Sequence, residues 1–313
     1  MEPAAPSRYI TAMTQPAQRT ISLTAWSLMA LLALIWGASF LSNRTALAQV
    51  PVLTTVAFRV TGATLALWAY VAIRRLPVPK GAKWLRTCLI LGLSNNIIPF
   101  SLVVWGQTHI PSGLAGILNA ATAIFSVVLA AVFYPDERLT GRRAVGVTLG
   151  LAGVAIAIGP AALSHLDVTS LGQLAILGAA LSYAASSIYG RRALAGIRPE
   201  VGAAGMLSVA AAIMLPVALW HDGLPRLNYL PQTWAALAYL ALIASAFAYI
   251  LFYRVLQLTG AGNLGLVTLL VAPIAVILGA VAYHEALAAT AYVGFAVIAL
   301  GMLVLDGRLL PRR

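Results

Sequence analysis

The sequence predicts an all-α membrane protein in which ten transmembrane helices form two inverted five-helix repeats, with both termini in the cytoplasm. Three observations lead to this fold class. Of the 313 residues, 61% are hydrophobic and only 9% are charged, whereas soluble domains carry about 25% charged residues. The apolar residues fall into ten runs, each close to the roughly 20 residues that a helix needs to cross a bilayer. The two halves of the chain also share an internal similarity.

The ten predicted spans are joined by short connections. Several spans begin at a proline, which suits the first turn of a helix because the missing N–H has no intrahelical partner there. The spans are placed at 24–43, 51–73, 86–106, 112–134, 142–159, 169–190, 200–220, 233–254, 261–283 and 288–305. The chain then divides into a cytoplasmic tail (1–23), a first repeat (24–159), a second, inverted repeat (160–305) and a cytoplasmic tail (306–313).

The first span has an alternative interpretation. Ala46-Leu47-Ala48 resembles a signal-peptidase site that follows a positively charged segment and an apolar run. However, the run is long enough to span a membrane, and the cut would fall far from Met1. We therefore interpret this segment as a retained span.

Lysine and arginine are divided unequally between the two sides of the predicted bundle. Seventeen lie on the side of the termini, Arg44 and Arg226 lie on the other side, and Arg59 falls inside span 2. Because cytoplasmic loops are enriched in these residues, both termini are predicted to be cytoplasmic, in a bacterial inner membrane. The net charge of +12 then indicates contact with anionic lipid rather than with nucleic acid.

The internal similarity relates spans 4 and 5 to spans 9 and 10. Aligning Glu137 with Glu285 also aligns Gly153 with Gly301, an offset of 148 residues. This offset divides ten spans into two sets of five, and because five is odd, the second set must enter the membrane upside down. Inverted repeats are typical of secondary transporters, which bind substrate near the midplane between the halves. The Gly146-x-x-x-Gly150 pattern of span 5 indicates close packing, either within the chain or with a neighbouring subunit.

The positions of the charged residues indicate whether transport is coupled to the movement of protons. Every acidic residue falls at a span end, in a loop or in a tail, whereas proton relays normally place a carboxylate within the membrane. Facilitated transport is therefore favoured, and a proton-coupled antiporter of drugs or nucleotide-type metabolites is the alternative. Glu137 and Glu285 are interpreted as helix-capping or interfacial residues. Arg59 lies roughly 12 Å deep in span 2. We interpret it as structural, in an ion pair or bonded to helix-end carbonyls; the alternative is that it attracts a substrate carboxylate.

Amide, hydroxyl and aromatic side chains occur near the middle of several spans. Pro99 in span 3, like Pro273 in span 9, is expected to bend its helix, which suits the wall of a cavity. A lining of this kind, without fixed charge, suits a neutral or zwitterionic solute with an aromatic or large apolar side chain, although such residues also bond between helices. The candidate substrate-binding residues are Trp36, Phe40, Asn95, Asn96, Asn119, Thr122, Tyr183, Ser186, Ser245, Tyr249 and Thr268, and the candidate structural residues are Arg59, Pro99, Pro273, Glu137 and Glu285.

No pattern in the sequence indicates an enzyme, a cofactor or a metal site. Cys88 is the single cysteine, the four histidines are scattered, and no His-x-x-x-His or Gly-x-Ser-x-Gly pattern occurs. A membrane-embedded, lipid-handling enzyme is the alternative from another functional class, and it would need convergent acid and base groups. The expected partners are a small-molecule substrate and the lipid bilayer. The oligomeric state stays open, with a monomer as one option.

Four short motifs carry a resemblance to a known family: Ile35-Trp36-Gly37-Ala38-Ser39-Phe40, Phe58-Arg59, Asp136-Glu137-Arg138-Leu139-Thr140 and His284-Glu285-Ala286-Leu287. With these motifs the chain resembles the ten-span EamA-type exporters of the drug/metabolite transporter superfamily, including its amino-acid exporters. The resemblance implies export of amino acids or related small metabolites through a cavity bounded by spans 1, 3, 4, 6, 8 and 9. The chain departs from the family at Ala123, where a proline is often found, so the resemblance does not imply symmetric bends in spans 4 and 9.

Overall fold

The computed structural model describes residues 22–134, 140–158 and 168–306, and these residues form helices and no strands. The predicted all-α class is thus confirmed. We number the helical segments in chain order. Their bounds are Leu23–Leu47 (α1), Val52–Ile73 (α2), Ala82–Gly106 (α3), Ser112–Phe133 (α4), Gly141–Ile158 (α5), Val168–Ala193 (α6), Pro199–His221 (α7), Pro231–Phe252 (α8), Leu270–Tyr283 (α9) and Ala289–Asp306 (α10).

The helix starts follow local chemistry. The Ser22 hydroxyl caps α1 by accepting a hydrogen bond from the Ala25 N–H at 3.2 Å. Pro51 precedes α2, and α7 and α8 open with Pro199 and Pro231. These prolines therefore stand at the helix starts that the sequence predicts.

Seven of the described helices, α1 to α4 and α6 to α8, are long and apolar enough to cross a membrane, while α9 and the apolar part of α10, Ala289–Val304, are shorter. The count of ten spans stays a prediction. One predicted connection is wrong, because the chain between spans 8 and 9 does not form a loop: the helix Ala248–Tyr283 runs on without interruption.

Helices α4 and α9 differ in a way that the prolines do not explain. The helix that contains Pro273 continues through it. By contrast, α4 has no proline and is interrupted at Ala120, between Ser112–Asn119 and Ala121–Phe133. The Ala120 N–H bonds to the carbonyl of Ile117, three residues back, at 3.1 Å. Pro273 thus does not break its helix, and nothing in the local sequence of α4 explains the interruption at Ala120.

The largest helix contacts correspond to one another when the first five helices are exchanged with the last five. Helix α2 packs on α7 and α5 on α10, and each of these pairs maps onto itself. The contact of α1 with α9 corresponds to that of α6 with α4, and the contact of α3 with α6 corresponds to that of α8 with α1. This pattern is the one expected for two related halves.

Glycines bring α5 and α10 into close contact. A Cβ atom on Gly301 would lie 2.7 Å from the backbone nitrogen of Gly150 and 2.8 Å from the carbonyl oxygen of Gly146. A Cβ atom on Gly153 would lie 2.6 Å from the Ile298 nitrogen. The Gly146-x-x-x-Gly150 pattern is therefore used within the chain, against α10.

The bundle has two chemically different ends. We call the end that holds Ile73, Ala82, Ala193 and Pro199 the basic end, because Arg74, Arg75, Arg191, Arg192 and Arg198 lie there. The other end, which holds the start of α2 and the start of α4, is called the opposite end below. At the basic end the Tyr134 ring lies 4.6 and 4.5 Å from the guanidinium carbons of Arg191 and Arg192.

Candidate functional site

Two helices change their winding near mid-length. Leu93–Ile97 in α3 and Tyr239–Phe247 in α8 are π-helical. Pro99 contributes to the first segment, because it has no N–H to offer the carbonyl of Asn95, four residues earlier. The Ile98 N–H donates a hydrogen bond to the carbonyl of Leu93, five residues earlier and the first residue of that segment. Single π turns occur frequently at functional sites, and α3 and α8 occupy corresponding places in the two predicted repeats.

Tyr249 connects α8 to the π segment of α3. Its hydroxyl accepts a hydrogen bond from Asn95 Nδ2 at 3.0 Å and donates one to Asn96 Oδ1 at 3.0 Å. Asn95 Nδ2 also lies 3.6 Å from Met206 Sδ on α7. Asn96 is completely buried, yet its Nδ2 has no hydrogen-bond partner. One donor inside the bundle is therefore left unused.

Arg59 reaches the same region from α2 and is only 6% exposed. Its Nε donates a hydrogen bond to Ser245 Oγ at 2.9 Å, and its guanidinium carbon lies 3.8 Å from the centre of the Phe100 ring. A cation over an aromatic face is attracted by the electrons of the ring. We predicted a carboxylate or helix-end carbonyls as partners, whereas the contacts described are a hydroxyl and a ring. Among the described side chains, no carboxylate lies within 4.0 Å of this guanidinium.

Tyr183 on α6 completes the group. Its ring centre lies 6.4 Å from that of Phe100, with the two rings at 61°. A hydrogen bond of 2.7 Å from Ser182 Oγ to the carbonyl of Ser94 fixes α6 against the π segment of α3. We call this group the central cluster; its members are Arg59, Asn95, Asn96, Phe100, Tyr183, Ser245 and Tyr249.

Five predicted substrate-binding residues, Asn95, Asn96, Tyr183, Ser245 and Tyr249, thus meet in the central cluster together with Arg59. Pro99 is buried beside them on α3. The elements involved are α2, α3, α6 and α8, so both halves of the chain contribute.

The predicted residues of α1 lie in other surroundings. Trp36 is half-buried and packs on Phe252 of α8, with ring centres 5.8 Å apart. Phe40 is buried, and its carbonyl accepts a hydrogen bond from Gln107 Nε2 at 2.9 Å. Phe40 therefore lies one helical turn closer to the opposite end than Trp36, next to a second polar group.

The remaining candidates are dispersed. Thr122 Oγ1 donates to the carbonyl of Asn119 at 2.8 Å, which keeps this hydrogen bond within α4. Asn119 Oδ1 is buried without a hydrogen-bond partner. Ser186 is buried on α6, whereas Thr268 is half-buried in the helix that leads to α9.

A network centred on Gln107 lies at the opposite end. Gln107 Oε1 accepts from Asn43 Nδ2 at 2.9 Å, and Gln107 Nε2 also donates to Ser112 Oγ at 3.2 Å. This amide is 1% exposed and joins the ends of α1 and α3 to the start of α4. The sequence analysis missed Gln107; the signal was an amide directly after the end of an apolar helix.

Glu285 binds the start of α4. Its Oε1 accepts from the Ser112 N–H at 3.0 Å, and its Oε2 accepts from the Gly113 N–H at 3.2 Å. A carboxylate on the free N–H groups of a helix start has the geometry of a cap and a favourable interaction with the helix dipole. The corresponding Glu137 lies outside the described residues.

Asp222 makes a comparable contact with the start of α2. Its Oδ2 accepts from the Thr54 N–H at 2.9 Å and from Thr54 Oγ1 at 2.8 Å, while Oδ1 lies 2.8 Å from His221 Nδ1. Burial raises the pKa of Asp222, but the hydrogen bonds from His221 and Thr54 outweigh burial, and the pKa falls below its ordinary value.

The sequence analysis also missed Phe100 and Met206. Phe100 lies four positions after Asn96, and this spacing places both on one face of a helix. That spacing was the available signal, whereas nothing in the sequence marks Met206. In the described part of the chain, no group of three or more His, Cys, Asp or Glu side chains is placed to hold a metal ion.

Long apolar helices that enclose a polar cluster at mid-length define a polytopic membrane protein with a candidate site inside the bundle. The chain belongs to the EamA-like transporter family, whose sequence profile matches residues 23–159 and again residues 170–305. The predicted family is thus confirmed, and the chain is a multi-pass membrane transporter.

Two relatives illustrate the family. The inner membrane transporter YedA of Escherichia coli K12 is 28% identical over 223 residues, which cover 69% of each chain. A protein of the same organism named as a probable amino-acid metabolite efflux pump is 29% identical over 173 residues, or 55% of each chain. A solved crystal structure superposes with a TM-score of 0.67 at 22% identity and covers 93% of this chain and 99% of its own. This structure supports the fold alone.

Proposed function

We propose that the protein is a secondary transporter that exports small neutral or zwitterionic metabolites, foremost amino acids with aromatic or large apolar side chains. The observation that carries the proposal is the central cluster. It lies at mid-length in the bundle, draws side chains from both halves, and contains amide, hydroxyl and aromatic groups beside one cation. Amide and hydroxyl groups suit the polar atoms of such a solute, and aromatic rings suit its apolar part. The name of the efflux-pump relative supports amino acids as the class of solute.

The proposed mechanism is alternating access without obligatory ion coupling. The described carboxylate side chains, Glu200, Asp222 and Glu285, lie near helix ends rather than in the central cluster. A proton-coupled carrier normally holds an ionisable acid within the membrane. The position of these three carboxylates therefore supports facilitated movement.

The proposed topology is ten spans in two inverted repeats, with both termini in the cytoplasm of a bacterium. Support comes from the two successive matches of the family profile and from the largest helix contacts, which correspond when the two halves are exchanged. The concentration of arginine at the basic end supports the assignment of that end to the cytoplasm.

Counterflow in proteoliposomes tests the proposal. Vesicles that contain the full chain are preloaded with one unlabelled solute at a time, namely phenylalanine, leucine, adenine or glucose, and are then diluted into labelled phenylalanine without a proton gradient. We expect transient accumulation in the phenylalanine- and leucine-loaded vesicles. Asn96→Ala should reduce it by about tenfold, because the substitution removes a buried amide from the site. The matched control is Asn228→Ala, which truncates an exposed amide outside the helices.

Three results would contradict parts of the proposal. If folded protein moved none of the solutes, the transport proposal would fail. If phenylalanine moved only with an imposed proton gradient, the uncoupled mechanism would fail. If Asn96→Ala moved phenylalanine as fast as Asn228→Ala, the central cluster would not be the substrate site.

A further inference from the structure

The central cluster contains more hydrogen-bond donors than acceptors. The guanidinium of Arg59 has five N–H donors, and its described hydrogen bond uses the one on Nε, with Ser245 Oγ as acceptor. Asn96 Nδ2 adds a completely buried donor that has no partner. The Tyr249 hydroxyl donates to Asn96 and accepts from Asn95.

The cluster also carries a positive charge, that of Arg59, with no described negative charge beside it. Arg59 is 6% exposed, and no described carboxylate lies within 4.0 Å of it. A buried cation without a counter-ion is costly, and the contact with the Phe100 ring compensates for only part of that cost. An anionic group that accepts hydrogen bonds would complement both the charge and the unused donors of the cluster.

The unused donors of Arg59 and of Asn96 lie at two neighbouring heights along the helix axes of α3 and α8. Arg59 rests against Phe100 and Ser245, whereas the Asn96 amide is bonded to Tyr249. Asn96 precedes Phe100 by four residues on α3, just as Ser245 precedes Tyr249 on α8. The two heights are thus separated by about one helical turn, ~5.4 Å. A carboxylate that accepts one hydrogen bond of about 2.9 Å on each oxygen spans that separation.

We propose that Arg59 and Asn96 Nδ2 together bind the carboxylate group of the transported solute. This inference rests on the proposed function and narrows its substrate class to solutes that carry a carboxylate. The rings of Phe100 and Tyr183 lie beside the guanidinium, where they contact the apolar body attached to that carboxylate. Within the described part of the cluster no acid is placed to receive an ammonium group. The carboxylate, rather than the amine, is therefore the feature that the site recognises.

Ligand-dependent thermal unfolding of the full chain in detergent tests the inference. The probes are L-phenylalanine, its amide L-phenylalaninamide, and 3-phenylpropionate, which has the ring and the carboxylate but no amine. We expect both carboxylates to raise the melting temperature of the wild-type protein, with dissociation constants at least about tenfold lower than that of the amide.

Two variants remove the predicted interaction in different ways. Arg59→Gln removes the cation. Asn96→Asp keeps the acceptor for Tyr249 but replaces the free donor with a carboxylate oxygen. The new carboxylate is an internal counter-ion for Arg59, so this variant is expected to fold even if Arg59→Gln does not. Both should lose the preference for carboxylates, with affinities reduced by about tenfold or more. Gln49→Glu is the matched control, because it introduces the same charge at an exposed side chain whose Oε1 only accepts hydrogen bonds, from the Leu230 N–H and Thr233 Oγ1. It should bind both carboxylates like the wild type.

The inference is overturned if the amide stabilises the protein as strongly as the acids, if none of the probes stabilises it, or if both variants keep the wild-type preference. Counterflow separates this failure from failure of the proposed function. Vesicles that move phenylalaninamide as fast as phenylalanine would support transport and overturn the carboxylate site. Binding of both acids without movement of either across the vesicle membrane would support the carboxylate site and contradict the transport proposal.

Discussion

Substitution of Gly301 by alanine should destabilise the protein through one interface, that of α5 and α10. The new Cβ atom would lie 2.7 Å from the Gly150 nitrogen, 2.8 Å from the Gly146 oxygen and 3.2 Å from the Gly150 Cα. All three neighbours are backbone atoms, so no side chain can rotate away and the two helices must separate. Overpacking of this kind costs about 1–3 kcal/mol, whereas alanine in place of glycine favours a helix by about 1 kcal/mol. The two contributions together give a net loss of about 0–2 kcal/mol in the free energy of unfolding.

Unfolding of the detergent-solubilised protein by a denaturing surfactant, followed by circular dichroism, measures this change. Gly178→Ala is the matched control, because the corresponding Cβ atom would meet only Leu102 Cδ1, at the ordinary distance of 3.4 Å. This control should be unchanged or slightly more stable. If Gly301→Ala were as stable as Gly178→Ala, the reasoning from the close approach of α5 and α10 would be refuted.

Three further predictions concern polar contacts. Glu285→Gln removes the charge that caps α4 and should lower the free energy of unfolding by about 0.5–2 kcal/mol in the same assay; an unchanged value would show that the capping charge does not contribute. The pKa of Asp222 is lower in the folded protein than the ordinary carboxyl pKa, because the ionised carboxylate accepts hydrogen bonds from Thr54 and His221. The stability from these bonds is fully present above the ordinary pKa and is lost as the pH falls through the lower pKa of the folded protein. Stability measured against pH should thus fall on acidification by less in Asp222→Asn than in the wild type, and equal profiles would contradict this assignment. Tyr249→Phe deprives two asparagines of a partner and should cost about 1–3 kcal/mol of unfolding free energy, and a variant as stable as the wild type would show that water replaces the hydroxyl.

The helix positions could be predicted from the sequence because bilayer thickness and proline chemistry are local constraints. Pro199 and Pro231 open α7 and α8 within two residues of the predicted starts. Where the structure differs, tertiary packing decides. The local amino-acid composition does not predict the break at Ala120 or the continuous helix Ala248–Tyr283, since alanine and leucine suit both a helix interior and a helix end.

The candidate site was predictable in composition but not in arrangement. Mid-span polar residues such as Asn95 and Tyr249 could be found because an apolar helix seldom carries them without a partner or a function. Which of them meet depends on helix rotation and on the π segments, which shift the faces of α3 and α8. Pro99 marks the segment in α3, whereas no comparable residue marks the segment in α8. Thr122 bonds locally within α4, and Arg59 meets Ser245 and Phe100 rather than any carboxylate of the described residues.

The bundle contains two kinds of helix contact, one that requires small side chains and one that is made by long polar and aromatic side chains. Helices α5 and α10 approach so closely that glycine is needed at Gly153 and Gly301, and backbone atoms of the two helices nearly touch. Helices α3 and α8 instead meet through long polar and aromatic side chains, with Asn96 and Tyr249 bonded across the interface. Close packing leaves no volume for a solute, whereas side chains with unused donors leave groups that a solute can satisfy. The contact of α3 with α8, and not that of α5 with α10, is therefore the one that offers hydrogen-bond partners to a solute.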